Sequence, residues 1–247
     1  MNLYKMYKDR KNRKKIYSTP NYWDTKAEHY NDKSVSMWPN NNLNVLYDVE
    51  QKELIDSFIN DLKDKYIIDI GCGTGRMSQY FAHKGAIVYA IDFSEKSIDI
   101  AKQQNANKNI TYQTLSVFQL DYTKHFDIAF TWGVLAIACQ NETEVINAIK
   151  KIYNSLKEGG ELLMLEPIHS SFLHRVLKMD LNTFLGLLEN EGFKVVAVKQ
   201  LNFWPIRILL SYFTIPMFIT KPIYWIGQYL MKLFPNSGDY KLIYAKK

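Results

Sequence analysis

From residue 66 onward, short apolar runs rich in Ile, Val and Tyr alternate with longer segments whose apolar residues recur every three to four positions. Tyr66–Ile70, Ile87–Ile91, Ile110–Leu115, Phe126–Thr131 and Glu161–Leu165 read as strands. Residues 76–84, 95–105 and 142–157 read as helices, the last through Val145, Ile149, Ile152, Tyr153 and Leu156. Such alternation predicts a parallel sheet with helices on both faces, because each parallel connection has to cross over the sheet. A further helix at about 181–190, stopped by Gly192, and two apolar runs, Lys194–Val198 and Tyr240–Ala245, complete the pattern.

Those last two runs lie about forty residues apart, far more than a hairpin needs. Residues 201–236 between them hold nine aromatics, three cations and no acidic residue. Upstream, residues 43–62 form an amphipathic pattern through Leu46, Tyr47, Glu50, Leu54, Phe58 and Leu62, behind a lead containing Tyr22, Trp23, Tyr30 and Trp38. The chain therefore divides into a basic tail and aromatic N-terminal lid (1–42), a core (43–200 and 237–247) and an aromatic insert or lid (201–236). Both appendages are expected over one edge of the sheet.

Composition narrows the class. With 247 residues, 47% of them apolar, the chain is long enough for one large core. Two cysteines are too few for a disulfide framework, and charges occupy the place of a secretory apolar run, so a cytoplasmic, reducing compartment is expected. The longest uncharged apolar stretch, 208–220, is too short for a bilayer-spanning helix of ~20 residues. The net charge of +6 is unevenly placed: residues 1–15 carry seven cations and one acid, as do residues 199–247, leaving an acidic body. That distribution reads as a solvated tail on an acidic domain, and no nucleic-acid partner is expected.

The sequence Ile67-Ile68-Asp69-Ile70-Gly71-Cys72-Gly73-Thr74-Gly75-Arg76 is a buried strand breaking into a glycine-rich turn that opens a helix. Glycines permit tight turning and close ligand approach at the carboxyl ends of strands. A dinucleotide fingerprint would require glycine at position 76, and a P-loop would require a Lys-Ser/Thr pair; neither is present. Asp92 ends the second strand, where a carboxylate can accept both ribose hydroxyls, and Phe93 beside it can lie against adenine. Together they indicate adenosine without pyrophosphate.

On these motifs, with Phe126-Asp127-Ile128 opening the fourth strand and Leu156-Lys157-Glu158-Gly159-Gly160 before the fifth, the chain resembles class I S-adenosylmethionine-dependent methyltransferases that act on small molecules. The resemblance covers about residues 20–200 and the final strand. It implies an α/β, Rossmann-like, seven-stranded sheet, mostly parallel with an antiparallel last strand. The cofactor would be S-adenosyl-L-methionine, released as S-adenosyl-L-homocysteine. Asp69, Gly71, Cys72, Gly73, Gly75, Asp92, Phe93, Ser116, Val117 and Trp132 are then expected around it, with Tyr22 and Tyr30 closing over it. Ser116 stands where the family usually carries an acid against the adenine.

Methyl transfer to a hydroxyl needs orientation, a dry pocket and a proton acceptor. After strand four comes Thr131-Trp132-Gly133-Val134, not the Asn/Asp-Pro-Pro-aromatic sequence of base-modifying amino methyltransferases, and no glutamate pair marks a protein arginine methyltransferase. Strand five ends in Glu166-Pro167-Ile168-His169, so His169 is the candidate base, with Glu166 and Trp132 as further candidates at the reacting centre. A backbone-bonded loop histidine, a capping Glu166 and a packed Trp132 are the structural readings of the same residues. His174 is a second, lesser histidine; Cys72 and Cys139 read as packing thiols; no cluster has metal-ligand spacing.

The expected partner is a small-molecule acceptor methylated on oxygen, less readily on nitrogen. A sugar or nucleotide-activated intermediate of cell-surface polysaccharide is the first acceptor class, and a lipid or quinone precursor at the membrane the alternative. A non-catalytic cofactor-binding adaptor is the rival of a different kind. The insert reads either as a lid over a soluble acceptor or, with its cations and aromatics, as a peripheral membrane contact shared with the basic N-terminus. Pro205, Pro216 and Pro222 weigh against one continuous helix there. No feature of the sequence sets an oligomeric state.

Overall fold

Seven strands form one sheet in the computed structural model, which describes residues 11–29, 38, 40–211, 215–234 and 236–247. They are β1 (Tyr66–Ile70), β2 (Ile87–Asp92), β3 (Ile110–Thr114), β4 (Phe126–Trp132), β5 (Leu156–Glu166), β6 (Lys194–Phe203) and β7 (Gly238–Lys246). Their order is β3-β2-β1-β4-β5-β7-β6. β7 is antiparallel to both β5 and β6, and the remaining pairings are parallel. This is the Rossmann-like sheet with an antiparallel last strand that the alternation and the family resemblance imply.

The helices that pack around it are α1 (Pro20–His29), α2 (Asn41–Asp56), α3 (Arg76–His83), α4 (Glu95–Gln104), α5 (Leu135–Ala138), α6 (Glu142–Ser155), α7 (Leu181–Asn190), α8 (Trp204–Ser211) and α9 (Met217–Leu233). Strands buried on both faces read as nearly continuous apolar runs, which is why periodicity located them. In β5, Leu163 and Leu165 enter one core with Leu43, Tyr47 and Ile55 of α2, Phe81 of α3, Leu210 of α8 and Tyr224 of α9. The alternate residues Leu162 and Met164 enter the other, with Ile149 and Ile152 of α6 and Phe184 of α7. α2 and the pair α8–α9 of the insert thus cover the same face.

Several boundaries differ from the expected ones: β5 opens at Leu156 rather than Glu161, so the helix before it stops at Ser155. The helix expected over 43–62 is capped earlier, by the Asn40 side chain accepting from the Asn42 and Leu43 amides, and stops at Asp56. Phe58 and Ile59 both donate to the Ile55 carbonyl in a closing turn, and Leu62 is buried without being helical. Apolar spacing is there satisfied by packing rather than by helix. β6 runs five residues past Val198, to Phe203 paired with Gly238, because β7 supplies a continuous edge for it. The connecting segment therefore begins at Trp204.

Candidate active site

Strand order reverses between β1 and β4, and open α/β sheets take their ligands at the carboxyl ends of the strands at such a point. On one side lies the glycine turn. The Gly71 and Cys72 amides donate to the Ile91 carbonyl at 2.7 and 3.0 Å, tying the turn to the end of β2. Gly71 (φ +71°) and Gly75 (φ +88°) both occupy the left-handed region, and a Cβ would strike Val134 at the first and the Tyr112 phenol at the second. Only glycine fits either place. Beneath the turn, Asp69 accepts from Ser78 Oγ at 2.6 Å, and burial raises its pKa to about 6. Asp69 is thus a support of the loop, and Cys72, whose thiol burial pushes well up, fills space beneath it.

Asp92 closes this half. Its Oδ2 accepts from the Gly73 amide and its Oδ1 from the Ser94 amide, both at 2.9 Å, so each oxygen keeps lone-pair capacity for a further donor. Burial raises its pKa, against the lowering pull of those two amides. Phe93 is half-buried and belongs to neither core among the described residues. Val117 is buried, whereas the Ser116 hydroxyl accepts from the Phe118 amide and caps the 3-10 turn Val117–Gln119. A paired diol acceptor beside two Cβ-free positions fits an adenosine-bearing cofactor of the S-adenosylmethionine type; Asp92, Phe93 and the glycine turn would hold it.

The aromatic lead crosses above. Asp24 Oδ1 of α1 accepts from Ser94 Oγ at 2.6 Å and from the Lys96 amide at 3.3 Å, docking α1 on the start of α4. Tyr22 sits with Tyr17 and Trp23, centroids 4.8 and 5.2 Å away. Arg13, earlier in the lead, reaches His174 Nε2. Tyr30 lies outside the described residues.

Across the switch point the expected catalytic residues separate. Glu166 is fully buried at the end of β5; its carboxylate accepts from the Val134, Leu135 and Ala136 amides at 2.9, 3.2 and 3.0 Å and from Thr131 Oγ1 at 3.1 Å. It caps α5, three donors falling on Oε1 and one on Oε2, and burial raises its pKa to about 7 against the pull of those bonds. Trp132 lies beneath the Arg76 guanidinium, 4.2 Å from its ring, and 5.9 Å from the Tyr47 ring. An indole there can wall a pocket but cannot accept a proton. Arg76, where a dinucleotide fold would carry glycine, is held by Asp48 and Gln51 of α2. His174 Nδ1 faces the Ser171 carbonyl, so both of its ring nitrogens have partners. Cys139 is buried in the second core, its thiol pKa raised by burial.

His169 keeps its candidacy with a partner the sequence reading missed. Its Nε2 is 2.7 Å from the Asp239 carbonyl and 3.2 Å from Asp239 Oδ1. A carbonyl only accepts, so Nε2 carries the proton and the basic lone pair is on Nδ1. Asp239, fully buried at the start of β7, is also 3.1 Å from Arg175 Nη2 and 3.1 Å from Arg207 Nε. Burial favours its neutral form, but Arg175, the His169 hydrogen bond and Arg207 prevail and hold it well below the usual carboxylate range. Lys241, two residues on, donates to the Gly238 carbonyl, and burial lowers its pKa to about 8. Asn202 stands opposite Asp239 across the β6–β7 ladder, in the left-handed region, with neither amide atom partnered among the described residues. One signal could have found this cluster: Asp239 is the lone acid among the seven cations of residues 199–247.

Residues 67–160, which contain the glycine turn, Asp92 and β4, match the profile of a methyltransferase domain. Those residues form a methyltransferase domain, and the sheet around them has the fold of class I S-adenosylmethionine-dependent methyltransferases. The chain is 34% identical over 129 residues to a ubiquinone biosynthesis O-methyltransferase of Coxiella burnetii, covering 51% of this chain and 50% of that protein. It is 26% identical over 157 residues to a malonyl-[acyl-carrier protein] O-methyltransferase of Priestia megaterium, covering 58% and 54%. The chain spans about half the length of the curated relatives it matches. In fold it is similar to an S-adenosylmethionine-dependent methyltransferase from Mesorhizobium loti, with TM-score 0.59, 17% identity, and 79% and 96% of the two chains covered. The matched part contains the cofactor half of the site, whereas Asp239 and Arg207 lie beyond residue 160.

Proposed function

We propose that this chain transfers a methyl group from S-adenosylmethionine to an oxygen atom of a small molecule, with His169 receiving the hydroxyl proton. The observation that carries the reading is the pairing, at one end of the sheet, of the glycine turn and Asp92 with the His169–Asp239 pair across the switch point. When bound, S-adenosylmethionine supplies an electrophilic methyl on a sulfonium. Asp92 anchors the ribose, the glycine turn admits the ligand to backbone contact, and Trp132 with Tyr47 walls the acceptor side. As His169 takes a proton at Nδ1, its Nε2–H stays on the Asp239 main-chain carbonyl, and the Asp239 carboxylate 3.2 Å away offsets the charge gained. Glu166 positions α5 and the Gly133 turn.

Of the acceptor classes, a lipid or quinone precursor is favoured over a sugar or nucleotide-activated intermediate of cell-surface polysaccharide. The name of the Coxiella relative supports it, as does the apolar exposed surface of the insert. The test is incubation with methyl-labelled S-adenosylmethionine and a cell extract, followed by partition. Label in the organic phase supports the amphiphilic acceptor, and label in the aqueous phase rejects it. Tight cofactor binding without transfer to any extract fraction would favour the adaptor.

A further inference from the structure

α9 has two faces of opposite character. Thr220, Tyr224 and Gly227 are buried against the body, with Tyr224 and Gln228 donating to Glu50 of α2 and Gly227 close to Phe203 and Ile206. On the other side Phe218, Trp225, Ile226, Tyr229 and Leu233 are 77, 50, 55, 63 and 58% exposed. At about 100° per residue these five fall within an arc of roughly 100°. Their open surface is on the order of 500 Å², at the upper end of what a monomeric soluble chain leaves in one patch. The helix stays continuous through Pro222, so the stripe is unbroken.

Charge identifies what covers the stripe. Lys221 and Lys232 are exposed and lie along one side of it. Beside it, Lys199, Lys232, Gln200, Gln228, Trp225 and Tyr229 line a cavity of about 630 Å³ together with Glu50, whose carboxylate is occupied by Tyr224 and Gln228. Residues 201–238 contain no acid. A second copy of the chain would bring the same lysines and, at this cavity, only the Glu50 carboxylate already occupied by Tyr224 and Gln228. A bilayer with anionic headgroups brings the complementary charge, accepts the apolar side chains, and suits Trp225 and Tyr229, whose rings are apolar with a polar edge.

We infer that α9 is the surface by which this chain docks on an anionic membrane, its exposed stripe entering the headgroup boundary. The docking places α2, which carries both Glu50 and the site residue Tyr47, next to the bilayer.

The test is co-sedimentation of the full chain with vesicles of phosphatidylglycerol and phosphatidylcholine, and with phosphatidylcholine alone. Binding to the anionic vesicles is expected, weakened at least 10-fold by Trp225→Asp with Tyr229→Asp and several-fold by 0.5 M salt. Both substituted positions are half exposed or more, and an unchanged circular-dichroism melt and cofactor affinity confirm that the variant is folded. Failure to bind anionic vesicles overturns the inference. So does binding that survives the double substitution, which would assign the contact to the basic N-terminus. A concentration-dependent dimer dissolved by the substitutions would also overturn it, by making the stripe a protein interface. None of these outcomes depends on methyl transfer, so the docking and the activity fail separately.

Discussion

Asp239→Asn removes one charge from a buried group and changes almost no volume, which isolates electrostatics. The carboxylate stands 3.1 Å from Arg175 Nη2 and 3.1 Å from Arg207 Nε, with His169 Nε2 at 3.2 Å. At an effective dielectric constant of about 20, each guanidinium pair is worth about 5 kcal/mol of attraction, much of it offset by the desolvation of both ions. Deleting the anion leaves that desolvation uncompensated on two cations, which costs about 3–5 kcal/mol. Arg175 keeps 27% of its side chain exposed and recovers some solvation, so the lower end is expected. In a chain of this size that is a fall in melting temperature of roughly 6–12 °C. Asp239 has a folded pKa below its unfolded value of about 3.9, so its contribution is present above pH ~4 and declines as pH falls toward the folded value. Urea unfolding followed by far-ultraviolet circular dichroism should show the deficit in full at pH 7 and narrowed at pH 2.5. An Asp239→Asn variant as stable as the parent at pH 7 would refute the reasoning.

Asp92→Ala should weaken S-adenosylhomocysteine binding about 10- to 100-fold by calorimetry, because it removes a hydroxyl acceptor and frees the Gly73 and Ser94 amides; unchanged affinity would move the cofactor site elsewhere. His169→Ala should lower turnover about 10²-fold while leaving cofactor affinity intact, and an unaltered rate would remove it from the proton path. Glu50 is pushed by burial to a pKa of about 7, against the lowering hydrogen bond from Tyr224. A raised carboxyl pKa stabilises the fold fully below the unfolded value of about 4.3 and ceases to do so as pH rises through 7. Glu50→Gln should therefore raise stability at pH 8 by up to about 3 kcal/mol and leave it unchanged near pH 4; equal effects at both would show that burial of the charge is not the cause.

The parts legible in the sequence are those coded by neighbours along the chain. β1 breaks into Gly71-Cys72-Gly73-Thr74-Gly75 because glycine alone takes the left-handed turn, and Asp92 ends β2 next to it, so strand, turn and acid announced a nucleoside site on their own. Two-sided burial of the strands wrote the parallel sheet into their apolar runs. Glu166 and His169 are three residues apart and looked equivalent as acid and base, yet they diverge in space. The turn after β4 brings three amides onto Glu166, whereas the start of β7, seventy residues away, brings Asp239 to His169. Only the antiparallel entry of β7 between β5 and β6 makes that meeting, and with it the joining of Arg175 and Arg207 to the same carboxylate. The same holds for the insert. Its aromatics and cations were evident as composition, but packing against α2 and β6 decided which face of α9 is buried and which remains open to a partner. Local conformation follows from residues a few positions apart; the compensation of buried charge and the sidedness of a surface helix depend on which distant segments the topology makes neighbours.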